Sequence, residues 1–87
     1  MYKIKFSKTV LKFFKKHKWQ PVTADFSKAV EILKQNPFDN NLDIKPLLPS
    51  KNSYRLRLWK YRIIFDVIEE ELLILVVNAN SRWDIYK

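Results

Sequence analysis

Residues 53–68, with the sequence SYRLRLWKYRIIFDVI, contain the pattern that most restricts how this chain can fold. Tyr54, Leu56 and Leu58 alternate with arginines, which is the period expected of a strand with one buried face. The pattern continues from Tyr61, so residues 59–60 are predicted to form a two-residue hairpin loop, and such a loop fixes the register of both strands. The predicted cross-strand pairs are Leu58 with Tyr61, Arg57 with Arg62, Leu56 with Ile63, and Arg55 with Ile64.

This register places Arg57 directly opposite Arg62, with Arg55 on the same side of the sheet. Like charges at a cross-strand pair destabilise it by roughly 0.2–1 kcal/mol, so the arrangement favours a bound anion. The alternative is that the guanidinium groups extend into water, with Asp66 as a partial partner. Three arginines on one face of a basic protein favour the anion site.

The charge of the chain indicates its class of partner. Seventeen Lys and Arg residues against nine Asp and Glu residues give a formal net charge of +8, which attracts polyanions over long distances. Nucleic acid is the expected partner, and an acidic protein is the alternative. Lys45 and Lys51, which precede the arginine strand, would extend a basic groove, although loop lysines are more often simply solvated.

The 87 residues suit one domain with a single core, and we expect one domain over residues 1–87. The chain has no cysteine, which excludes disulfides and thiolate metal sites and fits a reducing compartment. Its longest apolar run, residues 72–77, is too short to span a bilayer, and the first residues lack the apolar region of a signal peptide. We therefore expect a soluble cytoplasmic protein that does not associate with membranes.

The N-terminal part of the chain predicts a strand followed by two helices. Residues 2–6 alternate as a strand, and Ser7 offers an N-cap to a basic amphipathic helix over residues 8–18. Thr23 can cap a second helix that runs to about Gln35. The buried stripe of this second helix is predicted to be Val22, Phe26, Ala29, Val30 and Leu33.

Two further segments complete the predicted sheet and its connections. Residues 37–52 contain three of the four prolines and are predicted to be an ordered loop. Residues 69–71 form an acidic turn after the hairpin, and the apolar run over residues 72–77 is predicted to be an internal strand. His17, in the last turn of the first helix, is interpreted as structural or solvent-exposed.

Three segments of the chain resemble the RelE/ParE toxin superfamily: YKIKFSKTVLKFFKK, ILKQNP, and YRLRLWKYRIIFDV followed by SRWDIYK. The most specific of these is the YR-x-R-x-x-x-YRIIF hairpin with the later R-x-D-[IV]-Y. The resemblance implies an α+β, two-layer RelE-like fold: a strand, a helical hairpin, and an antiparallel meander of three strands, with the first strand beside the last. From this order of elements we expect the first and last strands to pair antiparallel.

Many RelE-like relatives are ribosome-dependent endoribonucleases that cleave messenger RNA and are inhibited by an antitoxin encoded alongside. The resemblance implies that Arg55, Arg57, Arg62 and the tail residue Tyr86 line the RNA site, and Arg82 matches the arginine of the tail motif. We therefore predict catalytic roles for Arg62, Tyr86 and Arg82. RNA contacts are predicted for Arg55, Arg57, Lys45, Lys51, Asn80 and Trp83.

The sequence departs from the family pattern at two places. Trp59 occupies a turn position where relatives commonly have glycine, so the positive φ that glycine permits is unfavourable there and the turn is expected to differ. Asn80 and Ser81 stand where relatives often have Arg and His or Arg. The loss of these groups implies a weaker nuclease or a different distribution of roles.

RNA cleavage without a metal requires a base for the ribose 2′-OH, stabilisation of the phosphorane, and a proton for the leaving oxygen. Arginine supplies only the stabilisation, because its guanidinium stays charged. Tyr86 is the candidate for proton transfer, with Asp66 and Asp84 as further candidates. The sequence contains no carboxylate, histidine or glycine-rich pattern typical of metal or phosphate-loop sites, so we expect no cofactor.

Two other functions remain open at this point. A ParE-like toxin would inhibit DNA gyrase by protein contact without catalysis, and a non-catalytic RNA binder would fit Asn80 and Ser81. Trp59 and Trp83 could stack on unpaired bases or pack on the protein itself. RNA cleavage is favoured, because a purely protein-binding role does not require an arginine pair directed at one anion.

Overall fold

The computed structural model describes residues 1–81, which form a five-stranded sheet and two helices. The helices are α1 (Lys8–Lys16) and α2 (Pro21–Gln35), and one 3-10 turn spans Glu69–Glu71. The strands are β1 (Lys3–Phe6), β2 (Asp43–Pro46), β3 (Ser53–Leu58), β4 (Tyr61–Ile68) and β5 (Leu73–Ser81).

The sheet has the order β1-β5-β4-β3-β2, so the first strand lies beside the last, as the family resemblance implied. The two strands are parallel, however, and the expectation of antiparallel pairing was wrong. The reason is β2, which the sequence analysis treated as loop. It adds one reversal of the chain before the meander, so β3 and β5 run in the same direction as β1.

The segment predicted as an ordered loop over residues 37–52 therefore contains an edge strand. It escaped prediction because it has four residues and ends in Pro46, and proline in a sheet is confined to edges and strand ends. Its register with β3 pairs Asp43 with Arg57 and Lys45 with Arg55. The missed strand thus adds two charged residues to the sheet beside the arginines.

Both helices begin close to the predicted positions, but the second has a different cap. The backbone N–H of Val10 donates to Ser7 Oγ at 3.2 Å, which confirms the first N-cap. The second helix begins at Pro21, where the missing N–H of proline removes no helical hydrogen bond. Thr23 does not cap it. Instead, Thr23 Oγ1 donates to the carbonyl oxygen of His17 at 2.8 Å and ties α2 to the end of α1.

The core lies between the helices and one face of the sheet. The predicted stripe of α2 is buried at all five positions, and β5 is an internal strand, as its apolar sequence predicted. Within residues 1–81, neither helix has the length and apolar content needed to cross a membrane. The buried residues that form the core cluster are Val10, Phe26, Ala29, Val30, Leu33, Leu56, Ile63, Phe65, Val67, Ile74, Val76 and Ala79.

Candidate nucleic-acid interface

The hairpin has the predicted register at every position. Leu58 pairs with Tyr61, Arg57 with Arg62, Leu56 with Ile63, and Arg55 with Ile64. Along β4, buried and half-buried residues alternate, and the buried ones join the core beneath the helices. Arg55, Arg57 and Arg62 therefore lie on the opposite face of the sheet, which we call the arginine face.

One row of side chains crosses four strands of the arginine face. Asp43 on β2 pairs with Arg57, Arg57 pairs with Arg62, and Arg62 pairs with Asn80 on β5. We call these four residues the arginine row. Neighbouring strands are about 4.8 Å apart, so the row spans about 14 Å. It lies one cross-strand pair away from the hairpin loop, at the end of the sheet where β5 finishes.

A bulge in β5 determines that Asn80 faces the arginines. The register shifts between Ile64 and Phe65, because Asn78 opposes Ile64 whereas Val76 opposes Phe65. The extra residue, Val77, reverses the alternation of the strand. Val76 and Ala79 are both buried in the core as a result, and the asparagines lie on the arginine face. Asn78 Oδ1 accepts hydrogen bonds from the Asn80 side-chain nitrogen at 3.0 Å and the Ala79 N–H at 2.9 Å.

The three arginines differ in their environments. The Arg55 side chain is only 11% exposed, and its Nη2 donates to Asp43 Oδ1 at 3.0 Å. Arg55 Nε is buried without a hydrogen-bond partner among the residues that the structure describes. Arg57 is exposed, and its Nε donates to the carbonyl oxygen of Trp59 at 3.3 Å. Arg62 is half-buried in the middle strand of the sheet. A phosphate in solution therefore has better access to Arg57 than to Arg55.

Asp43, which the sequence analysis did not single out, is a carboxylate that pairs with one of these arginines, Arg55. Asp66, suggested there as a partial partner, accepts a hydrogen bond from Ser53 Oγ. It lies four residues from Arg62 along β4, about 13 Å at the rise of an extended strand. Only a prediction of β2 could have identified Asp43, because its position beside the arginines depends on that strand.

The two lysines predicted to contact RNA lie at different distances from the arginine row. Lys45 opposes Arg55 in the row behind it and is exposed. Lys51 precedes β3 at the end of the sheet remote from the hairpin loop. The length of β3 from Ser53 to Arg57, about 13 Å, therefore separates Lys51 from the arginine row.

The other predicted site residues, Arg82, Trp83 and Tyr86, lie outside the described residues, as does Asp84. The last described strand residue, Ser81, pairs with Tyr61 at the end of the sheet that holds the arginine row. The part of the chain that contains these residues therefore begins two residues after Asn80.

The hairpin loop keeps a positive φ at Trp59, so the expectation that the turn would differ without glycine was wrong. Trp59 has a φ of 60°, in the left-handed region that is unfavourable for a bulky residue. Residues held in that region typically cost about 1–3 kcal/mol. The type I′ and II′ turns that favour two-residue hairpin loops have a positive φ at their first loop position. The loop thus retains this feature of a hairpin turn with tryptophan in place of glycine.

A groove of about 460 Å³ lies between this loop and the start of α2. Tyr61 donates its hydroxyl proton to Gln20 Oε1 at 3.0 Å, and the same oxygen lies 3.0 Å from His17 Nδ1. His17 also packs against the rings of Phe13 and Tyr61, so it is structural, as the sequence suggested. The groove is lined by Gln20, Pro21, Val22, Trp59, Lys60 and Tyr61.

The comparisons with known proteins agree with this architecture. Residues 4–85 match the family model of the ParE toxin of the type II toxin–antitoxin system parDE. A putative toxin, RelE1, of Methanocaldococcus jannaschii is 33% identical over 63 residues, which cover 71% of this chain and 70% of the relative.

Two solved structures resemble the chain over nearly its full length. The RelB–RelE antitoxin–toxin complex of Methanococcus jannaschii has 27% identity and a TM-score of 0.78, and the match covers 94% of each chain. The archaeal RelE–RelB complex of Pyrococcus horikoshii OT3 has 25% identity and a TM-score of 0.82, with 93% of this chain and 94% of that chain covered. Because the family model covers almost the whole chain and the fold agrees, the chain belongs to the ParE toxin family of type II toxin–antitoxin systems, within the RelE/ParE superfamily.

Proposed function

We propose that this toxin is an endoribonuclease that cleaves messenger RNA on the ribosome without a metal ion. The observation that carries the proposal is the Arg57–Arg62 cross-strand pair on the face of the sheet opposite the helices. Two guanidinium groups at adjacent strand positions repel each other unless an anion lies between them. An RNA phosphate is the anion that suits their forked N–H donors and the charge of the chain.

The arginines would act on the charge that develops at phosphorus. The ribose 2′-oxygen attacks the adjacent phosphorus, the bond to the 5′-oxygen breaks, and one strand end carries a 2′,3′-cyclic phosphate while the other carries a 5′-hydroxyl. Arg62, in the middle strand, is the proposed donor to the phosphorane oxygens. Arg57 and Lys45 bind the flanking backbone, and Arg55, whose side chain is mostly covered, holds Asp43 away from it.

The proton transfers are assigned to residues outside the described part of the chain. Tyr86 is the proposed proton-transfer residue, Arg82 is proposed to stabilise the charge at phosphorus, and Trp83 is proposed to contact the RNA. Asn80, at the end of the arginine row, supplies a neutral amide where relatives often have a cation. We therefore propose a slower nuclease than relatives with a cation at this position.

The proposed protein partner is a cognate antitoxin. The relatives from Methanococcus jannaschii and Pyrococcus horikoshii are toxin–antitoxin complexes, which supports the same type of pairing here. A formal net charge of +8 also suits an acidic partner segment. The proposed location is the cytoplasm, where ribosomes and messenger RNA are found.

A second candidate function is inhibition of DNA gyrase by protein contact. The match to the ParE family model favours it, and it requires no catalytic residue. The two candidates differ in what the arginine row must do. Cleavage requires Arg62 at a reacting phosphate, whereas a protein contact would depend on the shape of the whole surface.

Induction of the protein, followed by mapping of cellular RNA ends with a 5′-hydroxyl, tests the proposal. We expect new ends within coding regions that are absent when Arg62→Ala is induced at the same level. A supercoiling assay with purified gyrase is the parallel measurement. Gyrase inhibition without new RNA ends would replace the nuclease proposal with the ParE-like one.

A further inference from the structure

The groove beside the hairpin loop has the composition of a site for a flat ligand. Its volume of about 460 Å³ lies within the roughly 300–1,000 Å³ typical of small-molecule sites. Trp59 and Tyr61 supply aromatic surface, and Gln20 supplies an amide. Because Gln20 Oε1 already accepts the Tyr61 hydroxyl proton at 3.0 Å, the amide nitrogen of Gln20 supplies two donors for a ligand.

The backbone conformation and the exposure of Trp59 indicate that its indole ring has a role beyond the turn. Its φ of 60° is unfavourable for tryptophan, and glycine or asparagine would fit the same backbone better. The side chain is also 61% exposed, so core packing does not explain its presence. A large exposed aromatic at a strained loop position is a reason to look for a bound ligand.

The groove lies on the helix side of the hairpin loop, whereas the proposed phosphate site lies on the opposite face of the sheet, and the loop connects the two. Arg57 Nε donates to the Trp59 carbonyl oxygen at 3.3 Å, so the loop and the arginine row are directly linked. Only the Leu58–Tyr61 pair separates the loop from the Arg57–Arg62 pair, a distance of about 7 Å along the strands. Lys60, whose Nζ lies 5.5 Å from the Tyr61 ring centroid, adds a cation to the rim.

We propose that this groove binds one unpaired nucleobase of the RNA strand, stacked on Trp59, and that the strand passes over the hairpin loop to the phosphate held by Arg57 and Arg62. The inference rests on the proposed function, and it adds a base-binding site to it. Every base has a π face, so stacking would hold the strand without selecting a sequence. The cationic rim favours a nucleotide over an uncharged apolar side chain.

Binding of fluorescein-labelled single-stranded RNA at low salt, followed by anisotropy, tests the inference. Trp59→Gly removes the ring and fits the positive φ, so the variant keeps its fold, as its thermal denaturation would show. We expect its Kd to rise roughly 5- to 150-fold, the range for one stacked base. Trp59→Phe should recover part of this loss. Trp19→Ala is the matched control, because Trp19 is 89% exposed and does not line the groove.

A series of RNAs with one abasic position each identifies the base. With the unaltered protein, one abasic position should weaken binding about as much as Trp59→Gly does, and with Trp59→Gly that position should have no further effect. Additive losses, or a Trp59→Gly variant with unchanged Kd, would overturn the base site. If Trp59→Gly weakened binding of the antitoxin but not of RNA, the base site would also be overturned, and the groove would be a protein-binding surface.

The proposed function fails in a different way. If Arg62→Ala leaves RNA binding and cleavage unchanged, the phosphate site is wrong, whatever Trp59 does. If Arg62→Ala abolishes cleavage and Trp59→Gly alters neither binding nor cleavage, only the base site is wrong.

Discussion

The Asp43 carboxylate on the edge strand accepts a hydrogen bond of 3.0 Å from Arg55, whose side chain is almost entirely buried. This contact distinguishes Arg55 from Arg57. Arg55 has an acidic partner within the sheet, whereas Arg57 donates to a backbone carbonyl oxygen and is exposed. The edge strand therefore helps to determine which arginines a phosphate can reach.

We expect Asp43→Ala to lower the free energy of unfolding by about 1–2 kcal/mol, because it leaves the mostly buried Arg55 guanidinium without its carboxylate. The measurement is urea denaturation followed by circular dichroism. Glu31→Ala is the control, because the Glu31–Lys34 pair is longer, at 3.5 Å, and lies on the exposed surface of α2. Its loss should change stability by less than about 0.5 kcal/mol. Equal effects of the two substitutions would contradict the structural role of Asp43.

Leu72 is a second non-glycine residue in the left-handed region, with a φ of 49°. It ends the 3-10 turn before β5 and is 50% exposed, so its side chain contributes little to the core. Leu72→Gly should raise the free energy of unfolding by about 0.5–1 kcal/mol, because glycine adopts this backbone conformation without strain. Leu11→Gly should lower it by about 1 kcal/mol, because Leu11 is similarly exposed but lies within α1. Thermal denaturation of both variants distinguishes backbone strain from loss of a leucine.

RNA binding should weaken steeply as salt increases, because bound phosphates release their counterions. Removal of one phosphate contact on a single strand lowers the slope of log K against log salt by about 0.7. We expect this change for Arg57→Ala. Lys3→Ala is the control, because it removes one positive charge from the arginine face at β1, where Lys3 pairs with Leu73 far from the arginine row. It should leave the slope unchanged. Equal slopes for both variants would indicate that net charge alone governs binding.

The alternating pattern of residues 53–68 predicted the register of the hairpin, because a two-residue loop between alternating strands permits one pairing. The edge strand was not predictable in the same way, because four residues ending in Pro46 have no clear period. Its omission caused the error about the direction of β1 relative to β5, since each added strand reverses the chain. Without the edge strand, the Asp43–Arg55 contact could not be predicted either, because it depends on the pairing of β2 with β3.

The position of the asparagines depended on a feature that the sequence does not display. The bulge at Val77 adds one residue to β5. Even-numbered residues therefore face the core before the bulge, and odd-numbered residues face it after the bulge. Without the bulge, an alternating pattern that buries Val76 would have placed Asn78 and Asn80 in the core. The sequence analysis predicted that Asn80 contacts RNA. The structure adds that Asn80 is the cross-strand neighbour of Arg62, and its contact with RNA stays a prediction.

The last prediction concerns Arg62, which lies between two core residues in sequence, Tyr61 and Ile63, but on the opposite face of the sheet. Arg62→Ala removes no side chain from the core and relieves the repulsion from Arg57, so its free energy of unfolding should change by less than about 1 kcal/mol. RNA cleavage should fall by roughly 10²- to 10³-fold, the usual loss when one donor to a developing oxyanion is removed. Arg62→Lys should recover only part of the activity, because a point charge lacks the guanidinium fork.

Single-turnover cleavage and urea denaturation, measured on the same preparations of Arg62→Ala and Lys3→Ala, separate catalysis from folding and from charge. Lys3→Ala removes one positive charge from the same face of the sheet, so it should keep both stability and cleavage. An Arg62→Ala variant that unfolds would assign Arg62 to the fold. A stable variant with intact cleavage would remove Arg62 from the reaction. The proposed mechanism requires a stable variant that has lost cleavage at saturating RNA, because loss of RNA binding alone would leave that rate unchanged.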